Sequence, residues 1–171
     1  MILLKHTYND LDPYNKHEQK LYKNGDNWYK EIHEGYFEEF DIESLKSYIK
    51  MYDFVSSPIM MEYDKETNVF KYEIEDLSNT HNQLIDIPYI EQIRILGKIL
   101  SEVMHSFLEF SIMQGKDDKV FCHRDLAFHN IYVNGDDIKL IDIDSFMWVD
   151  RSDFKSHYQY TILKLAQHFD V

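Results

Sequence analysis

A cluster of chemically distinct polar residues in the last third of the chain constrains it more than any other feature. Residues 122–130 read CHRDLAFHN, and Asp142 follows Asn130 by twelve positions. Short apolar runs lie on both sides, so these polar groups are attached to elements expected in a core. A carboxylate, an amide and a second carboxylate are groups that bind a divalent cation or accept a proton. The pattern therefore predicts a reactive or cation-binding site.

The residues between Asn130 and Asp142 predict a β-hairpin. Two apolar runs, 131–133 and 138–141, flank the segment NGDD, and its Asn-Gly pair is a common hairpin turn. The run at 120–122 predicts a short buried strand before the polar cluster. Because a hairpin brings its ends together, we expect Asn130 and Asp142 close enough to share one cation.

Two other interpretations of these residues remain open. One is an ordinary hairpin with polar ends, which explains neither the buried position expected of His123 nor the grouping of carboxylates with an amide. The other is a transition-metal site formed by His123, Asp125 and His129. That site would leave Asn130 and Asp142 without a role.

Composition indicates a globular protein with a sizeable core. The chain has 171 residues, 44% of them hydrophobic and 15% aromatic, and a formal net charge of −13. Such an acidic chain lacks the cationic surface that binds nucleic-acid phosphates, so we exclude nucleic acid as a main partner. The single cysteine, Cys122, offers no disulfide framework, and no apolar run approaches the roughly 18 residues of a membrane span. We therefore expect a cytoplasmic protein without a transmembrane segment.

The first part of the chain predicts strands and one helix. Strand patterns occur at 2–4, 19–23, 27–32, 58–63 and 69–75. The second and third of these flank an Asn24-Gly25-Asp26 turn. Apolar residues recur at helical spacing from Ile42 to Tyr52, which predicts a helix over 41–52 with Asp41 as its N-cap.

The second part predicts helices around the polar cluster. Residues 78–82 are polar throughout, and we expect a lobe boundary there. The longest helix is predicted from Pro88, in its first turn, to about Met113. Its apolar stripe is expected to comprise Ile93, Leu96, Leu100, Met104 or Val103, Phe107 and Leu108. A final helix is predicted over 153–169.

This order of elements, together with the polar cluster, resembles the protein-kinase-like fold. It is most similar to compact bacterial branches: aminoglycoside and choline phosphotransferases and lipopolysaccharide core sugar kinases. The resemblance is strong over 119–145 and topological elsewhere. It implies a minimal two-lobed α+β fold, with an N-lobe of antiparallel sheet and one helix over 1–77. A truncated, mainly helical C-lobe would span 78–171.

The resemblance also implies roles for individual residues. By position, Asp125 would be the catalytic base, and Asn130 and Asp142 would bind Mg²⁺ beside the nucleotide. His123 would support the loop without taking part in the chemistry. Asp144 would either add a metal contact or pair with Arg124.

Further residues are implied for ATP itself. Lys30 would hold the α- and β-phosphates, with Glu43 as its helix partner and Glu39 as the second choice. The segment around Glu75 and Leu77 would be the inter-lobe hinge, whose backbone meets adenine. The alternatives are a solvent-facing lysine and a plain strand end.

Two features depart from the family pattern. No glycine lies between Tyr8 and Lys16, where a glycine-rich phosphate loop is expected. After Asp142 the chain is too short for an activation segment plus a helical peptide-docking subdomain. The apolar segment 146–149 follows instead, and it either closes over the core or stays exposed to dock a second copy or a protein partner.

The function predicted from these residues is an ATP- and Mg²⁺-dependent kinase. It would transfer the γ-phosphoryl group to a hydroxyl of a saccharide, a small molecule or a protein. The alternative is a non-enzymatic kinase-like binding or regulatory module, a pseudokinase.

Overall fold

Alternating apolar residues in the first half of the chain form a five-stranded antiparallel sheet in the computed structural model. The structure describes residues 1–8, 18–33, 41–156 and 159. The sheet has the order β1-β2-β3-β5-β4. Its strands are β1 (Ile2–Tyr8), β2 (Glu18–Asn24), β3 (Asn27–His33), β4 (Pro58–Asp64) and β5 (Val69–Glu75). Every predicted strand of this part is therefore confirmed.

Local signals in the sequence account for the turn and the helix of this part. Gly25, in the β2–β3 turn, has φ of 62°, a conformation that glycine adopts without steric cost. Helix α1 (Ile42–Met51) connects β3 and β4 in the chain, and Asp41 is its N-cap as predicted. The Asp41 carboxylate accepts hydrogen bonds from the backbone N–H groups of Glu43 and Ser44.

The long helix of the second half is continuous from 89 to 113 but contains a π-helical turn. It consists of α2 (Tyr89–Lys98), the π segment Ile99–Val103 and α3 (Met104–Met113). Pro88 occupies the N-cap position, one residue before the predicted first turn. None of the helices in the described ranges is long and apolar enough to cross a membrane.

The predicted apolar stripe of this helix is confirmed for Val103, Met104 and Phe107, which are buried, and wrong at Ile93. Ile93 is 43% exposed, and the buried face includes Ile95 and Ile99, which the stripe left out, as well as Val103 and Phe107. These buried residues are four positions apart, a step that advances an α-helical face by about 40°. The π turn contains more residues per turn than an α-helix and rotates these positions back about the helix axis. The same face of the helix therefore stays against the core.

The remaining strands surround the polar cluster. Strand β7 (Lys119–His123) pairs with β10 (Phe146–Asp150). The predicted hairpin is confirmed as β8 (Ile131–Asn134) and β9 (Asp137–Leu140), and the two-residue strand β6 (Asn82–Gln83) pairs with β8. A helix begins at 151 rather than 153, and the part of it predicted beyond 156 lies almost wholly outside the described residues.

An aromatic cluster joins the two halves of the chain. Tyr48 of α1 contacts Phe107, Phe121 and Phe146, with ring centroids 5.7, 6.0 and 5.3 Å away. All four side chains are fully buried. The core is therefore continuous across residue 78, and the division into lobes at 77/78 stays a prediction.

The apolar segment 146–149 closes over the core. Its four side chains are buried, and β10 pairs with β7 along its whole length. The Trp148 indole N–H lies 3.3 Å from the Asp41 carboxylate and 3.3 Å from the Ser44 hydroxyl. The alternative expectation, an exposed docking surface on this segment, is wrong. The predicted α+β class, with an antiparallel sheet and one helix followed by helices and a hairpin, is confirmed.

Candidate active site

A cleft of about 390 Å³ opens between the five-stranded sheet and the β8–β9 hairpin. This volume lies in the range of small-molecule sites. Five of the seven residues predicted for the site line it: Lys30, Glu75, Leu77, Asn130 and Asp142. Residues separated by 100 positions in the chain therefore share one cavity.

The sheet presents one face to this cleft because side chains alternate along each strand. Lys30 of β3 lies opposite Leu21 of β2 on one side and Tyr72 of β5 on the other. Two residues earlier on β3, Trp28 lies opposite Ile74, at the end of the cleft formed by Glu75 and Leu77. One end of the cleft is thus apolar, and Lys30 marks its charged centre.

Lys30 forms ion pairs with two carboxylates from the far side of the cleft. Its Nζ donates to both Asp144 oxygens at 2.9 Å and to Asp142 Oδ1, 112 residues away in the chain. Burial would lower the pKa of Lys30, but the charges of Asp144 and Asp142 more than compensate and raise it. Lys30 is therefore a buried, permanently charged group.

The two carboxylates differ in pKa. Burial and the neighbouring Asp142 charge raise the pKa of Asp144 to about 6. Burial also opposes the charge of Asp142, but the Lys30 ammonium prevails and holds the pKa of Asp142 at about 2. The Tyr72 hydroxyl donates to Asp144 Oδ1 at 2.6 Å. Both carboxylates are therefore mainly ionised at neutral pH, but Asp142 stays ionised to much lower pH, which suits it to bind a cation.

His123 connects the polar cluster to the strand end before Asp142. Its Nε2–H donates to the Ile141 carbonyl at 2.8 Å, and its Nδ1 accepts the Asp125 backbone N–H at 3.2 Å. A carbonyl only accepts and an N–H only donates, so these two bonds require the neutral Nε2–H tautomer. Burial lowers the pKa of His123, which favours the same neutral form. His123 therefore sets the position of Asp125 relative to Asp142.

Asn130 links the remaining groups. Its side-chain NH₂ group donates to the Asp125 backbone carbonyl at 3.0 Å and to Asp125 Oδ2 at 3.1 Å. The backbone carbonyl of Asn130 accepts the Ile141 backbone N–H at 3.0 Å. Asn130 is buried, and within the described ranges its Oδ1 accepts no hydrogen bond. A buried acceptor without a protein donor suits a cation or a ligand hydrogen.

The donor set suits Mg²⁺ better than a metal held by protein ligands alone. Among the described residues, no group of three or more His, Cys, Asp or Glu side chains could hold a metal. Mg²⁺ commonly takes one or two protein ligands and completes its octahedron with waters and phosphate oxygens. Asp142 and the free Oδ1 of Asn130, both at the cleft wall, are oxygen ligands of this kind. The same finding removes the transition-metal interpretation based on His123, Asp125 and His129.

Two predicted pairings are wrong. Glu43 does not hold Lys30, because its side chain is 76% exposed and pairs with Lys46 one turn along α1. Arg124 does not pair with Asp144, which is taken by Lys30, and its guanidinium contacts the Met147 sulfur at 3.3 Å. The second-choice partner Glu39 and the expected phosphate loop, apart from Tyr8, lie outside the described residues.

The sequence interpretation missed several residues of the cleft. Trp28 could have been found, because strand alternation places it on the same face as Lys30. Tyr72 and Tyr132 could not, since their positions depend on how β5 and β8 pair with other strands. Lys5, on the edge strand β1, was missed as well.

Comparisons with known proteins add one distant likeness. No family model matches the chain, and no curated protein matches it in sequence. Among solved structures, the chain is similar to spectinomycin phosphotransferase APH(9)-Ia in complex with ADP and spectinomycin. The identity is 14% and the TM-score 0.34, over 94% of this chain and 73% of that one. So low a TM-score carries no argument, and function has to be inferred from the site itself.

Proposed function

We propose that this chain is an ATP- and Mg²⁺-dependent phosphotransferase of protein-kinase-like fold. One observation carries the proposal. Lys30, on the sheet side of the cleft, forms an ion pair with Asp142 on the hairpin side, and Asn130 lines the same cleft. A cation beside carboxylate and amide oxygens is the arrangement needed to position a nucleotide polyphosphate and its metal. The acceptor would be a hydroxyl of a saccharide, a small molecule or a protein.

The shape of the cleft supports a nucleotide with its base at the apolar end. Trp28, Ile74 and Tyr132 offer flat or apolar surfaces there, next to Glu75 and Leu77. The backbone of that segment can supply the donor and acceptor that a purine edge requires. The phosphates would then lie beside Lys30.

The oxygens of Asp142 and Asn130 would hold Mg²⁺ on the nucleotide phosphates. When bound, the metal supplies positive charge to the phosphate oxygens during transfer. Ser145 donates its hydroxyl to Asp142 Oδ2 at 3.3 Å, which keeps the carboxylate oriented. Tyr72 and Lys30 restrict the other oxygen in the same way.

Asp125 would accept the proton of the attacking hydroxyl. The acceptor oxygen forms a bond to the γ-phosphorus, the bond from that phosphorus to the β,γ-bridging oxygen breaks, and ADP leaves. The carboxylate is held for this role from two sides, by the His123 bond to its backbone and by the Asn130 amide. Positioning of this kind is what phosphoryl transfer mainly requires of the protein.

A second candidate function is nucleotide binding without turnover. It is favoured by the pairing of Lys30, whose ammonium is bound by two carboxylates and not by a glutamate of α1. This pseudokinase would share the cleft and the metal ligands but not the transfer step.

Binding measurements with variants test the proposal. We expect Asp142→Ala to lose Mg²⁺-dependent ATP binding in calorimetry, because both carboxylate oxygens of the metal site are removed. The control is Asp136→Ala in the hairpin turn, where the carboxylate is exposed and pairs with Arg94. Unchanged Mg²⁺·ATP affinity in Asp142→Ala would move the metal role to another group, with Asp144 the first to examine.

Turnover separates the two candidate functions. We expect Asp125→Asn to bind Mg²⁺·ATP like the wild type but to lose ATP consumption, because only the proton acceptor is removed. Equal turnover in this variant would remove Asp125 from the mechanism. A wild type that binds Mg²⁺·ATP but consumes none, with water or with a panel of sugar and aminocyclitol hydroxyls, would favour the pseudokinase.

A further inference from the structure

Lys5 lies on the same face and in the same cross-strand row as Lys30. Along this row, Lys5 of β1 is opposite Leu21 of β2, which is opposite Lys30 of β3. Adjacent strands are about 4.8 Å apart, so the Cα atoms of the two lysines are separated by about 10 Å. Lys5 and Thr7 both line the cleft. The flexible Lys5 side chain can therefore reach the part of the cleft next to Lys30.

No carboxylate among the residues that the structure describes compensates the charge of Lys5. Four other lysines on the sheet pair with carboxylates: Lys20, Lys23, Lys30 and Lys71. Lys5 forms no ion pair or side-chain hydrogen bond with any residue that the structure describes, and it is exposed. In a chain with a net charge of −13, a cation at a cleft that pairs with none of the described carboxylates is available to an anionic ligand.

The positions along the sheet assign Lys5 to one end of a nucleotide. The apolar end, at Trp28 and Ile74, is next to the hinge segment, and Lys30 lies two residues further along β3. Lys5 is two strands beyond Lys30, away from β5. A nucleotide with its base at the hinge would place its outer phosphates, rather than its α-phosphate, toward β1.

We propose that Lys5 binds the outer phosphates of a nucleoside triphosphate, a role that rests on the function proposed for the same cleft. Lysine serves as a point charge for phosphate oxygens. The sequence 9–16 contains no glycine to let backbone amides approach phosphate closely, so a lysine side chain is an alternative source of positive charge for phosphate. The site would then prefer triphosphates over diphosphates and monophosphates.

Affinities for AMP, ADP and ATP, measured with Mg²⁺ by calorimetry, test the role of Lys5. We expect Lys5→Gln to weaken ATP binding about tenfold and ADP binding about threefold, as the loss of a charged hydrogen bond predicts. AMP should change by less than about twofold, since it has no outer phosphate. Lys5→Arg should restore most of the ATP affinity.

Lys20→Gln is the matched control. Lys20 is on β2, opposite His6 and on the face of the sheet away from the cleft. Its replacement therefore removes the same charge as Lys5→Gln without changing the cleft. Equal weakening of AMP, ADP and ATP by Lys5→Gln, or an ATP loss no larger than that of Lys20→Gln, would overturn the role of Lys5. A wild type that binds none of the three nucleotides would overturn the proposed function together with it. Thermal unfolding of Lys5→Gln should match the wild type, because the side chain is exposed.

Discussion

Replacing Lys30 with methionine tests whether the ammonium is the charge that makes the Asp142–Asp144 pair tolerable inside the protein. The side chains of Lys30 and Asp144 are each 11% exposed, and that of Asp142 is 29% exposed. Methionine keeps much of the aliphatic length of lysine and removes only the charge and its donors. Two buried carboxylates would then face each other without a cation.

The expected cost follows from this burial. Removing one partner of a buried ion pair costs about 3 to 5 kcal/mol, because the remaining charge is left uncompensated. Asp142 keeps some contact with water and the Tyr72 hydroxyl still donates to Asp144, so we expect the lower end, about 3 kcal/mol. With a urea slope of about 2 kcal/mol per molar, the unfolding midpoint should fall by about 1.5 M.

A second substitution isolates the electrostatic cause. In the Lys30→Met background, Asp144→Asn removes one of the two uncompensated charges. Its loss of unfolding free energy should therefore be smaller there than in the wild type, by at least about 1 kcal/mol. Lys20→Met is the control, since its pair is at the surface and should change stability by less than about 1 kcal/mol. A Lys30→Met midpoint equal to that of the wild type, or an Asp144→Asn cost that is the same in both backgrounds, would refute this reasoning.

Two further predictions concern the groups around the site. Asp41→Ala should lower the free energy of unfolding by about 1 to 2 kcal/mol at pH 7, because it removes the α1 cap and a partner of the Trp148 indole. Burial opposes the charge of Asp41, but its hydrogen bonds with Ser44 and Trp148 lower its pKa, so this stabilisation is present above the unfolded pKa of about 3.9 and lost below the folded pKa. Urea unfolding should therefore show a constant difference above about pH 5 that disappears as the pH falls further. Tyr72→Phe should lower stability by about 1 to 2 kcal/mol in the same assay, because Asp144 loses its 2.6 Å hydrogen bond.

Each of these predictions has a control in the described structure. Glu43→Ala changes an exposed carboxylate in the same turn as Asp41 and should not reproduce its pH dependence. Tyr52→Phe removes a hydroxyl that donates to the exposed Glu109 and should cost less than Tyr72→Phe. A pH-independent Asp41→Ala difference, or equal costs for the two tyrosine variants, would contradict the roles assigned here.

The sequence by itself determined the parts of this protein that depend on neighbouring residues. The Asn-Gly turns at 24–25 and 134–135 set two hairpins, and Asp41 set the start of α1. The hairpin between Asn130 and Asp142 follows from the same local signals, and it is what brings both residues to the cleft. These features could be predicted because turn and cap preferences act over a few residues.

Only the tertiary structure decided which charges meet. The first-choice sequence candidate for Lys30 was Glu43 of the following helix, but the partners are Asp142 and Asp144, more than 100 residues away. Tyr72 joined them through the register of β5 against β3, and the buried face of the long helix depended on a π turn without a sequence signal. Strand register and helix rotation are set by the packing of the whole core, because a shift of one residue moves every side chain to another face. Pairing across the cleft is therefore a property of the assembled fold and not of any segment within it.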